Sequence, residues 1–138
     1  MKLLIFVFIA AVFSLVSCDE LTDSFVFRYG EETDLKQHIE YVSEDNQLKI
    51  EIKKITDSRC PTGVVCVWQG EAKVTLQAVT GTNIPVGSIT LSTNNNLTDT
   101  IGSTWSVRLL DVKPYPVYQQ PVDSNNVVTT VVIKKIKS

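Results

Sequence analysis

The sequence predicts an all-β protein, an antiparallel β-sandwich of immunoglobulin-like type with seven to eight strands. Apolar residues recur at every second position in several segments, and no segment shows the 3.6-residue apolar stripe of an amphipathic helix. Turn-forming residues separate these segments at short intervals. Such alternation leaves one face of each strand dry and the other wet, as the packing of two sheets requires. An up-and-down β-barrel is the alternative architecture.

The clearest strand candidate is Leu48–Ile52, where three apolar residues alternate with Lys49 and Glu51. The alternation slips at 53–55, which predicts a bulge there. The proline-rich stretch 114–116 indicates a loop or sheet crossing, because proline donates no ladder hydrogen bond. Turns are expected at 44–46, 81–83, 94–96 and 123–126. The strand candidates in chain order are Phe25–Tyr29, Leu35–Val42, Leu48–Ile52, Val74–Ala78, Val86–Leu91, Trp105–Leu109 and Val127–Ile136.

The composition is that of one globular domain, with 138 residues of which 43% are hydrophobic and 20% are charged. The formal net charge is −2, and loss of Lys2 with a cleaved leader would leave 12 basic residues against 15 acidic ones, a charge of −3. Nucleic-acid binding needs clustered Lys and Arg, and the densest basic segment, 134–137, is typical of a protected edge strand. We therefore expect no nucleic-acid partner.

The N-terminus has the pattern of an export signal. Lys2 precedes an apolar run from Leu3 to Val16 that only Ser14 interrupts. The run is shorter than the 20 or so residues that span a bilayer, and its length is that of the hydrophobic region of a signal peptide. Residues 1–17 are therefore predicted to be a signal peptide.

The apolar run ends in Leu15-Val16-Ser17-Cys18, which resembles the lipobox of bacterial lipoproteins. The resemblance implies cleavage between Ser17 and Cys18, a diacylglycerol in thioether linkage to Cys18, and usually acylation of the new amine. One acyl chain holds a protein only marginally, whereas two or more give stable anchoring. The resemblance therefore implies a durable membrane anchor at Cys18.

Asp19 and Glu20 follow this cysteine directly. Acidic residues here resemble an inner-membrane retention signal of some bacteria and a surface-export signal of others. We expect a lipid-anchored protein of the cell envelope, in the outer membrane, and the sequence leaves open which face it occupies. The predicted organisation is a signal peptide over 1–17, a lipidated tether over 18–24 and a single β-sandwich domain over 25–138.

Cys60 and Cys66 are the cysteines that remain if Cys18 carries lipid. Export places this pair in an oxidising compartment, where cysteines are normally bridged. Pro61 and Gly63 suit a tight turn that would bring the two Cα atoms to about 5.5 Å. A zinc site would need about four ligands, and redox exchange usually uses a Cys-x-x-Cys spacing. The prediction is a structural disulfide.

The segment 57–72 is the most distinctive in the chain. It reads Asp-Ser-Arg-Cys-Pro, then Val-x-Cys-x-Trp-x-Gly-x-Ala. This signature resembles that of an uncharacterised family of small exported bacterial proteins, many of them lipoproteins. The resemblance extends loosely to residues 110–116, and it implies a fold and a location without implying a reaction.

A bridged loop would present its side chains in a fixed shape, and the candidate binding residues are Arg59, Thr62, Val64 and Val65. Arg59 is also placed to pair with Asp57 or Glu71, or to bond loop carbonyls. Trp68 is expected to pack on the disulfide or the core, and Gly70 to allow a bulge or a close backbone approach. Tyr115 and Tyr118 are interpreted as covering the end of the sandwich, with an exposed aromatic patch as the alternative.

Residues suited to catalysis are few. His38 is the only histidine, so it is the only base available to a serine or cysteine nucleophile. The carboxylates of Glu31, Glu32 and Asp34 could form a catalytic pair or a weak calcium site, although a solvated turn explains them as well. The chain contains no common hydrolase, zinc-protease or nucleotide-binding motif. We therefore expect no enzymatic activity, no metal and no cofactor.

Three functional hypotheses follow. The first is a membrane-tethered binding or accessory module that holds an envelope protein or glycan through its loops, including 60–66. The second is an inhibitor of extracellular proteases, in which the disulfide-held loop mimics a stiff substrate and so lowers the ordering cost of binding. The third is an enzyme centred on His38 or on the carboxylates at 31–34.

Overall fold

A computed structural model describes residues 25–136. The predicted signal peptide over 1–17, the tether over 18–24 with Cys18, and residues 137–138 lie outside the described residues. The described chain forms nine β-strands and one 3₁₀ turn, Ser124–Asn126. The strands are β1 (Phe25–Phe27), β2 (Glu32–Lys36), β3 (Glu40–Ser43), β4 (Leu48–Asp57), β5 (Ala72–Thr80), β6 (Pro85–Ser92), β7 (Thr98–Ile101), β8 (Trp105–Lys113) and β9 (Val128–Lys135).

The strands form two packed sheets, which confirms the predicted all-β sandwich. The first sheet has the order β1-β3-β4-β5-β6 and the second has the order β2-β9-β8-β7. The short β1 pairs with β3 in parallel, whereas the other neighbouring strands pair antiparallel. The two sheets do not close into the alternative barrel. Because β3 to β6 follow one another in one sheet, the likeness to an immunoglobulin domain lies in the two packed layers and not in the strand order.

The core lies between the sheets and follows the period-two pattern of the sequence. In β4 the buried residues are Leu48, Ile50 and Ile52, which alternate with the more exposed residues between them. The facing sheet contributes buried alternate residues of β8 and β9, among them Leu109 and Ile133. The predicted bulge is also confirmed, because the register between β4 and β5 shifts between Ile52 and Lys54.

The described chain has nine strands where seven to eight were predicted, and the additional strands arise at two places. The sequence predicts one strand over Leu35–Val42, but the described chain crosses there from β2 in the second sheet to β3 in the first. His38, at the crossing, has a φ of 62° and donates its backbone N–H to the Ile52 carbonyl at 3.0 Å. The second place is β7, an edge strand of mostly polar residues in which only Ile101 is buried.

The two sheets are also joined by a polar cluster at one end of the sandwich. Lys135, at the end of β9, hydrogen-bonds to the carboxylate of Asp45 in the β3–β4 turn and to Gln47 Oε1 at 3.0 Å. Ser43 Oγ donates to Asp45 Oδ1 at 2.7 Å, and the Lys135 ammonium lies 4.9 Å from the centroid of the Tyr29 ring. This charged cluster lies at the start of β4, opposite the end where β4 leads into the cysteine segment.

The same cluster sets the ionisation of Asp45. Burial raises the pKa of the carboxyl, but hydrogen bonds from Lys135, from Ser43 and from the backbone of Gln47 outweigh burial and hold the pKa well below its ordinary value. A carboxyl whose pKa is lower in the folded state stabilises that state above its unfolded pKa of about 3.9, and the contribution is lost as the pH falls through the folded pKa.

We expect Asp45→Asn to lower the free energy of unfolding by about 1–2 kcal/mol at pH 7, because hydrogen bonds to a charged group are lost. The difference from the wild type should shrink as the pH falls below about 4. Urea unfolding at pH 7 and at pH 3 measures both values. Glu31→Gln, on the exposed β1–β2 connection, is the control and should change stability by less than about 0.5 kcal/mol. A difference that stayed constant with pH would show that the ionised carboxylate is not its source.

Candidate functional site

The cysteine segment forms the tip of the β4–β5 hairpin. The last ladder pair joins Asp57 to Ala72, and residues 58–71, here called the tip loop, project beyond it. Hydrogen bonds continue a short way up, from Ser58 N to Glu71 O and from Cys60 N to Gln69 O, both at 2.9 Å. The tip loop is therefore anchored at its base by backbone pairing and extends past the end of the core.

The predicted disulfide is confirmed. Cys60 and Cys66 are bonded, with their Cα atoms 5.9 Å apart. A cross-link around so short a loop removes about 2 kcal/mol of conformational freedom from the unfolded chain by the chain-entropy model. The bond also fixes the path of residues 61–65 at the end of the tip loop.

A second segment packs beside the tip loop. Residues 114–127, here called the β8–β9 loop, leave the same end of the sandwich after a cis Lys113–Pro114 peptide bond. Thr62 donates its backbone N–H to the Pro116 carbonyl at 3.0 Å and accepts from Tyr118 N at 3.1 Å. These two bonds form a short parallel bridge, so the two loops form one continuous structure.

Arg59 ties both loops to the sandwich. Its side chain is only 8% exposed, and it donates from Nε to Asp57 Oδ1 at 2.9 Å and from Nη2 to Asp57 Oδ2 at 2.6 Å. The guanidinium also donates to the Pro114 carbonyl at 3.3 Å and lies 4.5 Å from the centroid of the Tyr115 ring. Paired charges and a stacked aromatic ring offset the desolvation of a buried cation. Arg59 therefore supports the candidate site by linking both loops to the end of the sandwich.

Large apolar side chains of the two loops remain in solvent. Val65 and Val67 have relative exposures of 102% and 92%, and Trp68 is 82% exposed. Tyr115, Val117 and Tyr118 of the β8–β9 loop are exposed by 46%, 39% and 54%. We call this set the end surface: Val65, Val67, Trp68, Tyr115, Val117 and Tyr118. Clusters of exposed apolar residues are a feature of interaction sites.

A cavity of about 310 Å³ adjoins the β8–β9 loop. Pro116 and Val122 of that loop line it together with Ile55 and Val127, and Gln37 and Asp57 add polar atoms. We call it the end cavity. Its volume lies at the lower limit of ordinary ligand pockets, about 300 Å³.

The structure places the predicted site residues in three different environments. Val65 is fully exposed, and the side chain of Thr62 is exposed while its backbone forms the bridge to the β8–β9 loop. Val64 is half-buried within the disulfide-closed loop. Arg59 is buried, so it supports the surface and does not lie on it.

Two further expectations for the cysteine segment have opposite outcomes. The prediction that Trp68 packs on the core is wrong, because the tip loop carries it beyond the last core residues of the hairpin and leaves it 82% exposed. The expectation of a close backbone approach at Gly70 is confirmed. A Cβ there would lie 1.8 Å from the Ser58 carbonyl oxygen, and the φ of 68° also favours glycine.

Val67, Trp68 and Val117 were not among the candidate binding residues. Neither 60–70 nor 114–122 contains an Asp, Glu, Lys, Arg or His. The same absence extends over 74–98, which includes most of β5 and β6, so lack of charge does not by itself mark the end surface in the sequence. Tyr115 and Tyr118 belong to the same set, in agreement with the exposed-patch alternative.

His38 lies apart from the end surface, exposed at the crossing between β2 and β3. Its neighbours are Gln37, whose Nε2 is 3.1 Å from His38 Nε2, and Glu51, whose Oε1 is 3.9 Å from Nδ1. Within residues 25–136, no group of three or more His, Cys, Asp or Glu side chains is arranged to hold a metal ion. Over the same residues, no helix has the length and apolarity needed to cross a membrane.

The chain matches no protein-family model, and comparisons with curated proteins and with solved structures likewise produced no match.

We expect Arg59→Lys to lower the free energy of unfolding by about 2 kcal/mol, because an ammonium cannot reproduce the forked pairing and the stacking of a guanidinium. Arg59→Ala should cost more, about 3 kcal/mol, since it leaves Asp57 without its cation. Chemical denaturation measures both. Arg108→Lys, exposed on β8, is the matched control. Equal effects at positions 59 and 108 would refute the assigned role of Arg59.

Proposed function

We propose that the protein is a lipid-anchored, non-catalytic binding module of the bacterial cell envelope, and that the end surface is its docking site for an envelope protein or glycan. The anchor is the lipid on Cys18. The location is the outer membrane, on either face. The observation that carries the proposal is the exposure of Trp68, Val65 and Val67 on a loop that a disulfide and Arg59 hold rigid.

Folding alone gives no reason for this arrangement. Exposed apolar side chains on a soluble domain favour association, and a patch of them is a liability unless something covers it. The chain holds these side chains in place with a covalent bond, a backbone bridge and a buried ion pair. Such preorganisation lowers the ordering cost that binding would otherwise carry.

The proposed tether is short. Seven residues, 18–24, separate the first residue of β1 from the end of the signal peptide, and a chain of that length spans at most about 25 Å. A domain held so close to a bilayer meets partners of the same membrane at a raised effective concentration. A modest docking surface would then suffice.

The proposed anchor can be tested with labelled fatty acid in the native cell. We expect radiolabelled palmitate to be incorporated into the wild-type chain and not into Cys18→Ser, because only the first cysteine carries the lipid. The double variant Cys60→Ser/Cys66→Ser is the matched control and should keep the label. Labelling that persisted in Cys18→Ser would remove the anchor from the proposal.

The proposed docking site can be tested with a photo-crosslinking residue incorporated at position 65 or 68 in living cells. We expect both positions to give the same defined adduct, and a control at position 90, exposed on β6, to give none. Val67→Asp should abolish the adduct formed from position 65, because a charge in the centre of an apolar contact is costly.

Adducts of equal yield from position 90, or none from the tip loop in a membrane-bound chain, would contradict the proposal. An adduct with a secreted protease would favour the inhibitor alternative instead. The observation on which that alternative depends is the full exposure of Val65 inside a ring that the disulfide closes.

A further inference from the structure

The end surface is uncharged as well as apolar. The 20 residues of 60–70 and 114–122 include no Asp, Glu, Lys, Arg or His, whereas the chain as a whole has 13 basic and 15 acidic residues. Arg59, at the base of the tip loop, is buried and bonded to Asp57 and to the Pro114 carbonyl. The exposed cations that flank the two loops are already paired, Lys73 with Glu71 and Lys113 with Asp111. Polyanionic partners need cations that can reach them. The end surface offers none from these segments, so its chemistry selects an uncharged ligand.

The most exposed side chains of the tip loop favour one class of uncharged ligand over another. Val65 and Val67 offer no hydrogen-bonding atom beyond the backbone, and both are almost fully exposed. Sugars bury hydroxyl groups that need partners, and an unpartnered hydroxyl is costly to desolvate. Protein interfaces instead concentrate Trp and Tyr at a centre that is depleted of charge. Two valines beside Trp68 therefore fit a protein segment better than a neutral glycan.

The end cavity provides a place for one side chain of such a segment. Its walls include the apolar groups of Ile55, Pro116 and Val122, and its carboxylate, Asp57, is already neutralised by Arg59. Interface hot spots form where one partner inserts a large side chain into a packed pocket of the other. Pro116, which lines the cavity, lies in the chain between Tyr115 and Val117 of the end surface, so the cavity and that part of the surface are neighbours.

We infer that the end surface binds an uncharged, apolar segment of a protein, with one aliphatic or aromatic side chain of that segment in the end cavity. The inference rests on the proposed function, since it names the partner's chemistry at the same docking site. Binding then depends on Trp68 and Val65 at the tip and on the open volume beside Val122. It depends little on salt, because no exposed ion pair takes part.

The test uses the full-length lipidated chain in nanodiscs, with a phage library of random peptides as the probe. We expect the enriched peptides to lack charged residues and to share one large apolar residue. A synthetic peptide of the enriched sequence should bind Trp68→Ala and Val65→Asp about tenfold or more weakly. Val122→Phe, which narrows the cavity, should act in the same direction. Thr90→Ala, on the outer face of β6, is the control and should bind as the wild type does.

Each other outcome overturns the inference. These outcomes are enrichment of charged peptides, affinity that falls steeply with salt, binding of neutral oligosaccharides on an array in place of peptides, or no peptide binding at all. Self-association through the surface, seen by analytical ultracentrifugation, would assign it to a second copy. Quenching of Trp68 by brominated lipids, measured in Trp105→Phe, would assign it to the bilayer.

The variants remain informative because Trp68, Val65 and Val122 are exposed, and an unchanged urea midpoint shows that each one folds. The crosslinking experiment separates the two failures. A defined adduct from positions 65 and 68 combined with failure of the peptide test means that the surface docks a partner of another chemistry. Failure of both means that the surface docks nothing.

Discussion

The candidate site depends on the interactions of one buried group, the guanidinium of Arg59. It is bonded to Asp57 at the end of β4, to the Pro114 carbonyl at the start of the β8–β9 loop, and stacked on Tyr115. Those groups come from both sheets of the sandwich. A lysine could neutralise Asp57, but only a planar fork can pair with a carboxylate and stack on a ring at once. The disulfide shapes the tip loop, whereas Arg59 fixes its position relative to the second loop.

The sandwich has opposite chemistry at its two ends. At the end where β4 starts, Asp45, Lys135 and their polar neighbours form a charged, hydrogen-bonded cluster. At the other end, the buried ion pair of Asp57 and Arg59 lies beneath the uncharged residues of the end surface. Both clusters join the two sheets. Ile84 and Ile136 are exposed near the first cluster, but the second end carries the larger set of exposed apolar side chains. This asymmetry makes the second end the place to look for a partner.

The sequence could predict the features that depend on the local alternation of apolar and polar residues and on the oxidising compartment expected for an exported chain. The alternation of Leu48, Ile50 and Ile52 predicts β4, and the slip after Ile52 predicts its bulge. The expectation of export, together with the two remaining cysteines, predicts the disulfide. The sequence could not predict the crossing at His38. Leu35 and Tyr41 are an even number of residues apart, as on one face of a single strand, yet each faces the core from a different sheet. Nor could the sequence place Trp68, because a tryptophan two residues after a cysteine is as compatible with the core as with the surface. The length of the hairpin beyond Asp57 decides that Trp68 lies outside the core.

The rigidity of the tip loop is what makes an exposed tryptophan useful. Burying a tryptophan removes on the order of 150–250 Å² from water, a gross gain of about 4–6 kcal/mol. Ordering a free loop costs about 1–2 kcal/mol per residue, so a flexible tip of only a few residues would cancel that gain. Here the ordering takes place on folding, through the Cys60–Cys66 bond, the bridge at Thr62 and the bonds of Arg59. Under the proposed function, most of the gain at Trp68 therefore remains for a partner, and the strength of docking depends on the bonds that order the tip loop as well as on direct contacts.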